Sequence, residues 1–83
     1  MTVRAEFTIY PFQEGEDPPH HVLAAIEQLR TEGFEVEVGL LGQVVSGDVD
    51  RIAKAFQVAL PAAMRAGANR VVISVEVSDD RPR

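Results

Sequence analysis

The chain has 83 residues, 46% hydrophobic and 25% charged, which suits one domain around one core and makes a second domain implausible. It contains no cysteine, so disulfides, thiolate metal sites and a thiol nucleophile are excluded. A net charge of −5 sets its field against nucleic acid and anionic membranes, and neither is expected as a partner.

Val3, Ala5, Phe7 and Ile9 alternate with Arg4, Glu6, Thr8 and Tyr10, the period-two pattern of a strand with one buried face, and Pro11 ends it. The acidic, proline-rich stretch that follows places Asp17 as N-cap and Pro18 in the first turn of a helix. From about His20 to Glu32, Val22, Ala25, Ile26 and Leu29 recur at helical spacing, and Gly33 stands where a left-handed cap is wanted.

Phe34, Val36, Val38 and Leu40 then alternate with Glu35, Glu37 and Gly39, which predicts a second strand with an acidic outer face. After a turn at Gly42, Gln43 to Ser46 reads as a short third strand, closed by Gly47, with Asp48 capping a second helix. That helix is expected to bury Val49, Ile52, Ala53, Phe56 and Leu60, to kink at Pro61 and to end at Gly67. Arg70 to Val77 is the last strand, with Val71, Ile73, Val75 and Val77 inward and Val72, Ser74 and Glu76 outward. Residues 79–83 read as a polar tail, which leaves one domain over 1–83 with an ordered core at about 3–78.

The order strand, helix, strand, strand, helix, strand is the split β-α-β arrangement. Two right-handed crossovers put both helices on one side of an antiparallel four-stranded sheet, so the fold class is α+β and one sheet face stays open. The first and third strands are then central, and Thr8, Tyr10, Glu37, Ser74 and Glu76 share the open face.

The candidates for chemistry are few. His20 and His21 point about 100° apart on a helix, cannot form a same-face metal pair, and read as a solvated helix start. No glycine-rich phosphate loop is present, and Ser46 and Ser74 have no histidine partner for nucleophilic catalysis. The chain is expected not to be an enzyme and to need no metal or cofactor. The outer glutamates either keep the sheet soluble or, with hydroxyls and one tyrosine, bind a cationic, hydrogen-bonding aromatic ligand. Such a site becomes a pocket only when a second subunit covers it.

Three stretches carry a resemblance: Ala5-Glu6-Phe7-Thr8-Ile9-Tyr10-Pro11, Leu41-Gly42-Gln43-Val44-Val45-Ser46-Gly47-Asp48, and Ala66-Gly67-Ala68-Asn69-Arg70-Val71-Val72. In order and separation they are similar to the thiamine-binding, YkoF-like family, over nearly the whole chain. Gln43 stands where members often have threonine, and the ending Ser78-Asp79-Asp80-Arg81 also departs from theirs. The resemblance implies a ferredoxin-like fold, dimers or tetramers, and binding of thiamine or its hydroxymethylpyrimidine portion without turnover.

Face and residue type then nominate Glu6, Thr8, Tyr10, Glu37, Gln43, Ser46 and Ser74 as ligand-binding residues. Glu6 or Glu37 could accept from the aminopyrimidine, and Thr8, Gln43 or Ser74 could complete the pattern. Tyr10 serves either as a stacking surface or as interface packing. The leading reading is a carrier, buffer or sensor of a small molecule. Its rivals are an oligomerising module without a metabolite and, less favoured, an acyl-phosphate hydrolase, for which Gln13 to Pro19 supplies carboxylates where cations are needed. With no secretory leader pattern and no long apolar run, a cytoplasmic location is expected.

Overall fold

The computed structural model describes residues 1–11, 18–39 and 42–78. Its elements, in chain order, are β1 (Thr2–Tyr10), α1 (His20–Thr31), β2 (Glu37–Val38), β3 (Gln43–Asp48), α2 (Val49–Arg65) and β4 (Arg70–Val77). They build one antiparallel sheet in the order β2-β3-β1-β4, with β1 and β3 central as the topology requires. This is the ferredoxin-like α+β arrangement. No helix among the described residues is long and apolar enough to cross a membrane.

Alternation in β1 decides which face is covered. Val3, Ala5, Phe7 and Ile9 are all buried and form the middle of the core, joined by Val22, Ala25, Ile26 and Leu29 of α1 and by Val45 of β3. Phe7 meets Phe56 of α2 edge to face, with ring centroids 5.2 Å apart at 83°. Burying a side chain of that size stabilises the fold by roughly 1.5–3 kcal/mol, so the helix–sheet contact is anchored on this pair.

The helix ends differ in how they are held. Asp48 caps α2 through its carboxylate, which accepts from the N–H groups of Asp50 and Arg51 at 3.1 and 3.3 Å. At α1 the cap position belongs to Pro19, which offers no side-chain bond, and Asp17 lies outside the described residues. Gly33 and Gly67 close the two helices at positive φ, where a side chain would be strained. Two other glycines serve close approach. A Cβ on Gly42 would stand 3.0 Å from the Phe7 carbonyl oxygen, and one on Gly47 would stand 2.9 Å from the Phe34 ring.

Three expectations about β2, α2 and β4 need correction. The second strand is two residues long, and Val38 is half exposed because β2 forms the sheet edge. In α2 the buried stripe is Ile52, Ala55, Ala59 and Ala63, while Ala53 and Leu60 are exposed. Small residues let α2 lie close along α1, so alanines, and not the larger side chains, form its inner stripe. The helix runs on past Pro61, as expected, to Arg65. Finally, Ile73, Val75 and Val77 point to the helix side, in register with Phe7, Ala5 and Val3, yet are 37%, 51% and 65% exposed. Right orientation did not bring cover, because β4 is the outermost strand.

His21 departs most from expectation. It is buried, and its Nε2–H donates to the Pro11 carbonyl at 2.8 Å, tying the start of α1 to the end of β1. His20 is exposed.

Candidate functional site

Register places each candidate on the open face or off it, because directly opposite residues of an antiparallel pair share a face. Glu6 lies opposite Ser74 of β4 on one side and Val44 of β3 on the other, and Val44 lies opposite Glu37 of β2. One row across the sheet therefore reads Glu37, Val44, Glu6, Ser74. Neighbouring strands are about 4.8 Å apart, so Glu37 and Glu6 stand roughly 10 Å from each other with a valine between them. They cannot both grip one amino group.

The next row in one direction is Ser46, Arg4, Glu76. In the other direction Thr8 lies opposite Val72, and Tyr10 opposite Arg70. Thr8 and Tyr10 are half-buried, whereas Glu6, Ser74, Glu76 and Ser46 are exposed. Glu6, Thr8, Tyr10 and Ser74 thus form one patch across β1 and β4. Ser46 sits one strand away beside Arg4, and Glu37 two strands away.

Gln43 does not belong to this face. It pairs with Phe7, lies on the helix side, and is 8% exposed, with its Oε1 atom finding no hydrogen-bond partner among the described residues. The signal was present in the sequence. Gln43 and Ser46 are three apart on one strand, so they occupy opposite faces and cannot serve one site.

The open face also carries cations that the acidic reading omitted. Arg4 donates to Glu6 at 3.3 Å, and the Arg70 guanidinium lies 5.0 Å from the centroid of the Tyr10 ring. Both arginines were legible by parity, since Arg4 alternates in step with Glu6 and Arg70 with Ser74. The patch is of mixed sign, with one cation already seated on the Tyr10 ring. The acidic loop weighed for hydrolase chemistry, from Gln13 to Asp17, lies outside the described residues.

On the other side of the sheet, the crease between α2 and the start of β4 is lined by Phe56, Leu60, Ala63 and Val71 and leaves no room for a water molecule.

Comparison with known proteins gives a consistent picture. A family model described as "Thiamine-binding protein" matches residues 5–83. The UPF0045 protein MJ1052 of Methanocaldococcus jannaschii is 32% identical over 81 residues, covering 98% of this chain and 80% of that protein. Its crystal structure superposes with a TM-score of 0.69, covering 99% of this chain and 84% of that one. A domain of unknown function from Bacillus cereus is 28% identical with a TM-score of 0.65, covering 90% of this chain and 72% of that one. A Thermotoga maritima protein provisionally assigned to thiamine biosynthesis or salvage shares the fold at 21% identity, with a TM-score of 0.66 over 92% of this chain and 81% of that one.

Proposed function

Because the chain belongs to the thiamine-binding protein family, we propose that it binds thiamine or its hydroxymethylpyrimidine portion, without turnover, on the open sheet face between β1 and β4. A second copy laid over that face closes the site.

The observation that carries this reading is the Arg70–Tyr10 contact. A half-buried tyrosine on the open face holds a planar, delocalised cation 5.0 Å from its ring centroid. A thiazolium is also a planar, delocalised cation, and it takes the same place when Arg70 swings aside. One step along β1 is Thr8, and one step further the Glu6–Ser74 pair offers a carboxylate beside a hydroxyl. An aminopyrimidine presents a donor next to a ring-nitrogen acceptor, which that pair complements.

Glu6 is shared with Arg4, so the ligand competes for a carboxylate already partly neutralised. On an exposed face such contacts are weak, because water screens them and competes for every hydrogen bond. A covering subunit removes that water and strengthens each contact, which is why the reading requires oligomerisation. Ser46 and Glu37 are too far from Tyr10 to join the same ligand and belong to the contact with the covering copy. The chemistry of the patch is recognition. Among the described residues it presents no histidine or cysteine.

Calorimetric titration of ligand-stripped protein tests the proposal. Thiamine or hydroxymethylpyrimidine should bind saturably with a Kd of about 1 μM or tighter. No saturable heat with either compound, from protein shown to be oligomeric, overturns it.

A further inference from the structure

We propose that the ligand the open face prefers is the phosphate ester of thiamine, and that Arg70 is the residue that selects it. Selection of this kind rests on the open face being a thiamine site, and it specifies which form of the ligand that site takes.

Arg70 is a cation with an unusually loose hold. Arg4 is paired with Glu6 at 3.3 Å. Arg51 is held twice, over the Phe34 ring at 4.9 Å and through its Nη2–H, which donates to the Glu32 carbonyl at 3.3 Å. Arg70 is exposed, lies 5.0 Å from the centroid of the Tyr10 ring, and makes no ion pair with a carboxylate among the described residues. An aromatic face holds an exposed guanidinium weakly, so this head group moves at little cost.

Moving it aside for a second cation is unfavourable all the same. When a thiazolium takes the Tyr10 ring, the displaced guanidinium stays tethered to the first residue of β4, directly opposite Tyr10 in the ladder. Two cations then share one end of the face, and they repel more strongly once a covering subunit has removed the water around them. Unmodified thiamine brings no counter-charge to that pair. A phosphate monoester on its hydroxyethyl arm brings about −1.5 to −2 at pH 7 and turns the competitor into a partner.

Position agrees with charge. With the aminopyrimidine at Glu6 and Ser74 and the thiazolium at Tyr10, the ligand runs along β1 toward its last residue. The hydroxyethyl arm leaves the thiazolium on the side away from the methylene bridge, so it points past Tyr10 to the end where Arg70 stands. Arg4 lies at the opposite end, beyond Glu6, where Glu6 and Glu76 already flank it. A guanidinium offers parallel N–H donors that two phosphate oxygens accept together, a geometry an ammonium cannot match. The net charge of −5 opposes anions in general, so phosphate alone is not drawn here. The cation for the ring and the anion for Arg70 must arrive in one molecule.

Calorimetric titration of ligand-stripped protein with thiamine, thiamine monophosphate and inorganic phosphate tests the selection. In the parent chain the monophosphate should bind about tenfold tighter than thiamine or better, and inorganic phosphate should give no saturable heat. Arg70→Gln should bring the monophosphate to within about twofold of thiamine, while thiamine itself binds at least as tightly as before, its competitor gone. Arg70→Lys, which keeps the charge without the paired donors, should fall between. Circular dichroism and sedimentation verify that both variants keep the fold and subunit number of the parent. Equal affinity for thiamine and its monophosphate, a preference that survives Arg70→Gln undiminished, or inorganic phosphate binding as tightly as the ester would overturn the role of Arg70. The first of these leaves the thiamine site standing, whereas saturable heat with none of the three compounds removes both.

Discussion

Tyr10 and Arg70 face one another across the first residue pair of the β1–β4 ladder, with the guanidinium 5.0 Å from the ring centroid. In the proposed site this is the end of the open face that takes a flat cation. The contact also makes Arg70 the competitor of any cationic ligand that stacks there.

Removing the ring tests this directly. Tyr10→Ala should weaken thiamine binding by roughly fivefold to thirtyfold, the range given by about 1–2 kcal/mol for a cation on an aromatic face. Tyr10→Phe keeps the face and should stay within about threefold of the parent. Calorimetric titration distinguishes the two. Equal losses for both variants would move the role of Tyr10 from stacking to its hydroxyl.

In the proposed site Glu6 is the charged acceptor, so Glu6→Gln should cost about tenfold or more in affinity, as charge-assisted hydrogen bonds contribute about 1.5–3 kcal/mol. Ser74→Ala, which removes a neutral partner, should cost less. The same titration checks both, and circular dichroism verifies that the exposed substitutions leave the fold intact. Unchanged affinity in Glu6→Gln would remove the carboxylate from the site.

His21 holds a structural position. His21→Phe retains an apolar ring but leaves the Pro11 carbonyl without its donor, which should destabilise the chain by about 1–3 kcal/mol in urea denaturation. His20→Ala, at an exposed position, should stay within about 0.5 kcal/mol of the parent.

Among the described residues, Asp48 is a group whose ionisation bears on stability. Its carboxyl is held below the usual carboxylate range, chiefly by the Arg51 N–H, with help from the N-terminal ammonium and the Asp50 N–H and against partial desolvation. A lowered folded-state pKa means stability that is present above the unfolded-state value and is lost as pH falls through the folded one. Thermal unfolding below about pH 4 should therefore fall less steeply with acid in Asp48→Asn than in the parent chain. Asp48→Ala, which also loses the cap, should unfold at a lower temperature at neutral pH. Identical acid slopes in the parent and Asp48→Asn would refute the assignment.

The element order, the central place of β1 and β3, the cap at Asp48 and the core face of β1 were all legible in the chain. Each rests on a local rule: a two-residue period, a helical period, or a side chain bonding backbone two or three residues on. The face of every β-strand residue was legible too. Strict parity within β3 separates Gln43 from Ser46, and parity within β1 and β4 adds Arg4 and Arg70 to the open face.

Relations between elements were decided only in three dimensions. Register set Glu6 beside Ser74 and Val44, and Val44 beside Glu37, and no local rule states how far one strand slides along another. The closeness of α2 to α1 chose alanines for the inner stripe. The outermost place of β4 left its inward valines uncovered, and the path from Pro11 to α1 buried His21. Periodicity says which way a side chain points. Whether anything lies there to meet it depends on the packing of segments distant in sequence, and that is a property of the whole fold.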